Sequence, residues 1–366
     1  MKHSAALVAV AAAMTAALVT GAPAVAAPAS SCLPGGVYAF VANSDNPQGR
    51  NTSLAVLDTA SHKVVRTTTG LGENPSSVAV TADGAKAYVA NFGAVNAAPD
   101  GPPQTVSVID NRSGDVAHEV TVGRAPVQVA LSPDGRYAYV VNSGTLQDEG
   151  SVTVIDTGND EAVATITDGL HNPAGIAFAP DGAHAYVTNE QSGTLAVLDT
   201  ATRTVSASVE LGPQGAYPVG VAVAPDGKRV YVAANLSGDV IVVDPSSASL
   251  VGPPVQLPGG GMPYGIAVTP DGSRLYVTEA ATDQVAVVDT ATATALPRTI
   301  TVGRNPTAVA FTPDGRQAYV TSSLDDPRGV SVIDTAARAV ADSVNTGSGP
   351  FAVALAAIPA AAGCRS

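Results

Sequence analysis

Tryptophan is absent, and aromatic residues of all kinds make up 4% of the 366 positions. A surface with so few flat rings is a poor platform for stacking sugars. Positive charge is also scarce: 18 Lys and Arg stand against 31 Asp and Glu, a formal net charge of −13. No basic stripe runs along the chain, so binding to nucleic acid or to anionic lipid headgroups is disfavoured and no nucleic-acid partner is expected. The chain has no Gly-Lys-Ser/Thr phosphate loop, Gly-x-Ser-x-Gly elbow, His-Glu-x-x-His pair or Cys-x-x-Cys pair. Beyond the first residues there is no long apolar run and no cell-wall sorting motif, so no membrane insertion is expected.

Those first residues are distinctive. Met1-Lys2-His3 precedes a run rich in Ala, Val and Leu up to Thr20, and then Ala-Pro-Ala-Val-Ala-Ala. This reads as a signal peptide over residues 1–26, leaving a secreted chain that is extracellular or cell-wall associated. A lipoprotein box is not formed, because Ala29-Ser30-Ser31 before Cys32 lacks a large aliphatic residue. Cys32 and Cys364, the two cysteines of the chain, lie at opposite ends of the remaining domain, residues 32–364. In an oxidising compartment such a pair reads as a disulfide. Closing so long a loop is worth roughly 5 kcal/mol or more, as an upper figure, in the chain-entropy account.

Abundant glycine and proline, 36 and 27 residues, punctuate a repeat. Its hairpins fall at Asp83-Gly84, Asp134-Gly135, Asp181-Gly182, Asp226-Gly227, Asp271-Gly272 and Asp314-Gly315. The spacing of about 45 residues is that of a propeller blade. Each copy holds four β-branched runs of period two, such as Val78-Ala79-Val80, then Ala87 to Ala90, Val106 to Asp110, and a run ending at Gly123. The Asp-Gly step supplies the positive φ of a tight hairpin. No copy contains an amphipathic helix.

The ends complete the pattern. Phe40-Val41-Ala42-Asn43 aligns with Tyr88-Val89-Ala90-Asn91, a second strand lacking its first. Gly349 to Leu355 aligns with Asn74 to Val80, a first strand with nothing after it. The expected fold is therefore all-β: a seven-bladed propeller of four-stranded antiparallel blades, closed by a C-terminal strand joining the N-terminal blade and leaving no long open edge.

Tyr-Val-Thr-Asn at Tyr186 to Asn189, its variants at Tyr88, Tyr139, Tyr231, Tyr276 and Tyr319, and the Pro-Asp-Gly hairpins resemble the YVTN-family β-propeller repeat proteins. The resemblance covers the mature chain. It implies kinship with surface-layer proteins and lactonase-like propellers, and it leaves the activity open.

Residues present in every blade are read as scaffold. Asp58, Asp110, Asp156, Asp199, Asp244, Asp289 and Asp334 end the third strands and suit Asx turns. The signature tyrosines suit packing between blades, with a hydroxyl that needs a partner. A site is expected where blades differ, on the face carrying the loops into the first strand and from the second to the third. Two residues before each first-strand proline stand Glu73, Arg124, His171, Ala216, Gly261, Arg304 and Ser348, with Tyr217, Met262 and Tyr264 close by. Glu73, Arg124, His171, Tyr217, Tyr264 and Arg304 are the expected ligand-binding set, suited to an anionic or polar ligand. Glu279 replaces the signature asparagine, and Glu190 follows Asn189.

The long loops after Asn43, Asn91, Asn142 and Ser322 form a lip carrying Asp45, Asp100, Asp148, Glu149, Asp325 and Asp326. These acids could take calcium, although no EF-hand spacing is present. No cofactor is otherwise expected. The favoured function is a monomeric binding or scaffold module, presenting the lipped face and axial mouth to a protein, peptide or small polar ligand. The alternative is an enzyme, a lactonase-like hydrolase or metal-assisted lyase, with His171 as base and Glu190 or Glu279 as acid or metal ligand. A cell-surface structural protein is the third reading.

Overall fold

A computed structural model describes residues 33–44, 52–93, 104–145, 149–212, 216–324 and 329–360. Seven antiparallel sheets make up these residues, with no helix among them. Blades 1 to 6 begin at the inner strands Pro75–Val80, Pro126–Leu131, Pro173–Phe178, Pro218–Val223, Pro263–Val268 and Pro306–Phe311. Blade 7 is the seam, where Pro350–Ile358 pairs with Gly36–Asn43, followed outward by Ser53–Asp58 and Lys63–Thr69. Gly36 faces Ile358 and Phe40 faces Ala354, so the closing strand is antiparallel as the alignment of the ends requires. Each inner strand touches the next around the ring, and the seventh touches the first.

Hydrophobic burial is spread over seven clusters, each drawn from two neighbouring blades. The signature tyrosines lie inside these clusters. Tyr88 donates to Asp160 Oδ1 of blade 2 at 2.5 Å, and Lys86 closes on the other oxygen at 2.7 Å. A blade therefore cannot bury its apolar faces alone; its neighbours complete its core.

The turns follow their residue types. All seven third-strand aspartates accept a backbone N–H from within their own turns, the geometry of an Asx turn. The hairpin aspartates do the same two residues on, as Asp83 does for Ala85 at 2.9 Å. Each inner strand is bulged after its proline, which frees an amide. The signature threonine takes it up: Gly175 N–H donates to Thr188 Oγ1 at 2.8 Å, and Thr188 donates to the Val219 carbonyl of blade 4 at 2.7 Å. Inner strands approach closely here, and a Cβ on Gly220 would stand 2.2 Å from the Tyr264 carbonyl oxygen.

Blades 4 and 5 have split outer strands, Ser249–Leu250 with Val255–Gln256 and Thr294–Ala295 with Ile300–Thr301. Pro253-Pro254 and Pro297 fall in the gaps, where no ladder N–H is available. Residues 1–26, Cys32 and Cys364 lie outside the described residues.

Candidate active site

The residue before each inner-strand proline turns the chain onto the axis with a left-handed backbone, φ between 33° and 59° at Asn74, Ala125, Asn172, Tyr217, Met262, Asn305 and Gly349. Its carbonyl accepts the N–H of the residue that follows the second strand, in turn Phe92, Ser143, Glu190, Asn235, Ala280, Ser323 and Ser44. Both sets of loops thus interlock on one face, the face the sequence assigns to a site. Of these seven following residues, Glu190 carries the one ionisable side chain.

The neighbours of that position show what a polar side chain does there. Ser143 Oγ donates to the Pro173 carbonyl of the next blade at 2.8 Å, and Asn235 Nδ2 to the Pro263 carbonyl at 3.1 Å. A carboxylate has no proton to offer such a carbonyl. Glu190 lies partly buried, with no hydrogen bond to its carboxyl among the described residues. Burial pushes this carboxyl up to about 7.

Tyr264 is the second residue of the blade 5 inner strand. Its hydroxyl is pushed up to about 12, first by burial and then by the negative charge of Glu190. Its ring meets Phe351 edge-on, with centroids 6.1 Å apart and planes at 84°. Blade 4 separates blades 3 and 5, and blade 6 separates blades 5 and 7. Tyr264 and Phe351 therefore meet across the axis from blades 5 and 7, and the charge of Glu190 on blade 3 acts on the Tyr264 hydroxyl.

The other expected residues do not all join them. The Nδ1 of His171 sits 3.2 Å from the Glu149 carboxylate on the blade 2 side, while its backbone N–H donates to Asn189 Oδ1. Arg124 and Glu149, with Asp168, line an open cleft of about 700 Å³ over blade 2. Neither Glu190 nor Tyr264 lines that cleft. Glu73 and Arg304 are exposed at the rim. Tyr217 is half-buried beside blade 4 and keeps its bulky side chain on a left-handed backbone, φ 48°.

Glu279 is separated from the mouth. It is fully buried under the glycine run that leads into blade 5, where Gly261 N–H approaches Oε1 at 3.4 Å and Oε2 has no partner. Its carboxyl is raised above the ordinary range by burial, against the opposing pull of the Gly261 and Gly259 amides. It stands where Asn43, Asn91, Asn142 and Asn189 cap the equivalent loops, so the break in pattern marks a structural substitution. No group of three or more metal-ligating side chains occurs among the described residues. Of the lip acids, Asp45, Asp100, Asp148, Asp325 and Asp326 lie outside the described residues, and Glu149 is exposed.

Phe351 escapes sequence reading, although a signal for it exists. The residues just after the inner-strand prolines are Ser76, Val127, Ala174, Val219, Tyr264, Thr307 and Phe351, so two aromatics stand out in an otherwise small set.

Residues 32–300 match the model of the lactonase, seven-bladed β-propeller family, and the chain belongs to that family. No curated protein matches the chain. Among solved structures, a periplasmic gluconolactonase of Pseudomonas aeruginosa is 21% identical with a TM-score of 0.70, covering 88% of this chain and 100% of that one. A hydrazine synthase of Kuenenia stuttgartiensis is 24% identical with a TM-score of 0.67, covering 78% and 90%. Such distant likenesses establish the fold alone. Family membership corrects the expectation of a binding or scaffold module. The sequence led there because it offers no contiguous catalytic motif, whereas the unlike side chains that meet on the axis come from separate blades.

Proposed function

We propose that the protein is a hydrolase that opens lactone rings, with its site at the axial mouth. The observation that carries this reading is Glu190, a partly buried carboxyl raised to about 7 on the mouth face, whose charge acts on the Tyr264 hydroxyl, in a chain of the lactonase family. In its ionised form Glu190 takes a proton from water as the oxygen attacks the lactone carbonyl carbon. Tyr264 donates a hydrogen bond to the carbonyl oxygen as negative charge develops on it. The ring C–O bond then breaks, Glu190 returns its proton to the departing alkoxide, and a hydroxy acid leaves. The Tyr-Val-Thr-Asn repeats support placing the chain with the YVTN propellers. Its N-terminal residues, together with the periplasmic neighbour, support export.

The test is lactone hydrolysis followed by acid release, comparing wild type with Glu190→Gln, alongside circular dichroism to confirm the fold. Loss of about 10²- to 10⁴-fold in kcat/KM is the expected outcome. Full activity in the Gln variant would overturn the assignment.

A further inference from the structure

Between Glu190 on blade 3 and Arg304 on blade 6, the mouth is built by blades 4 and 5. The residues flanking their inner-strand prolines and second strands are Ala216 and Tyr217, Asn235 and Leu236, Gly261 and Met262, Ala280 and Ala281, none of them charged. Two of the most exposed large apolar side chains among the described residues fall in this arc, Leu236 at 59% and Met262 at 45%. The Asn235 side chain donates to the Pro263 carbonyl at 3.1 Å, which ties the loop carrying Leu236 to the loop carrying Met262. The arc is also anchored to the axis, because Tyr264 follows Pro263 directly. Folding does not explain this exposure. Asn74, Asn172 and Asn305 occupy the equivalent left-handed position in other blades, where a small polar residue relieves the strain that Met262 and Tyr217 retain.

We propose that this arc is an apolar wall of the site, selecting lactones that carry an aliphatic substituent on the ring over polyhydroxylated sugar lactones. The inference rests on the hydrolase reading and adds the chemical class of substrate. With the carbonyl against Tyr264 and the attacking water at Glu190, the substituent lies along Met262 and Leu236. Exposed apolar side chains on two loops tied together beside a reactive group are the mark of a binding wall.

The experiment measures kcat and KM for a series of γ-lactones with alkyl chains of increasing length, and for glucono-δ-lactone and its 6-phosphate. In the wild type, KM should fall about two- to fourfold per added methylene until the wall is covered. Met262→Asn and Leu236→Ser should flatten that dependence. Asparagine at 262 is already tolerated in three sibling blades, and position 236 is on the surface, so both variants keep the fold. If KM ignores chain length, or the dependence survives in both variants, the wall is refuted; this includes a preference for glucono-δ-lactone or its phosphate with no chain-length effect, which leaves the hydrolase reading standing. If the wild type opens none of these lactones, the reaction assignment falls and the substrate inference falls with it.

Discussion

Glu190 and Glu279 look alike in sequence, each an acid at or beside the end of a second strand, and both are held above the ordinary carboxylate range. Their surroundings separate them. Glu190 is partly exposed on the mouth face, and under the proposed mechanism kcat/KM for lactone opening should rise with pH and level off above about 7. That limb should vanish in Glu190→Gln. The same shift has a stability consequence. The folded protein holds this proton more tightly than the unfolded chain, so the contribution is complete below the ordinary value of 4.5 and lost as pH climbs through about 7. Glu279 has no channel to serve, and an unmatched buried oxygen costs about 1–3 kcal/mol. Glu279→Asn should therefore gain in melting temperature relative to wild type as pH is raised from 5 to 8, with no change in the pH profile of activity. A sequence can flag an acid that breaks a repeat, but burial decides whether the break serves chemistry or packing.

Strands and hairpins were the most legible elements. Period-two runs and Asp-Gly steps fix where the chain turns, and the seven third-strand aspartates form the Asx turns their positions imply. What could not be read was how closely inner strands approach. Gly175, Gly220 and Gly265 pass as ordinary strand glycines, yet a side chain at Gly220 would drive into the Tyr264 backbone. Gly220→Ala should cost about 1–3 kcal/mol in chemical denaturation and, under the proposed mechanism, should lower lactone turnover as well, since the displaced carbonyl belongs to Tyr264. Thr188→Val removes the acceptor of the Gly175 amide and the donor to Val219, and should cost about 1–3 kcal/mol. An unchanged denaturation midpoint in either variant would contradict the packing described here.

For the whole molecule, ring closure was legible because both termini carry incomplete copies of one repeat. A chain ending at residue 347 lacks the inner strand of blade 7 and leaves Gly36–Asn43 unpaired on one side. It should aggregate or unfold well below the intact protein in a thermal melt. The site was less legible, because its members are far apart in the chain: Glu190, Tyr264 and Phe351 come from three blades with no shared border. No single repeat, and no pair of adjacent repeats, holds the proposed reaction centre. Copying or losing one repeat could yield a sound ring with six or eight members, yet it would alter the span across the hole and set the acid at the wrong distance from the phenol. Under the proposed mechanism the copy number is itself part of the catalytic geometry, so a chain with one wedge added or removed should keep its ring and lose lactone opening.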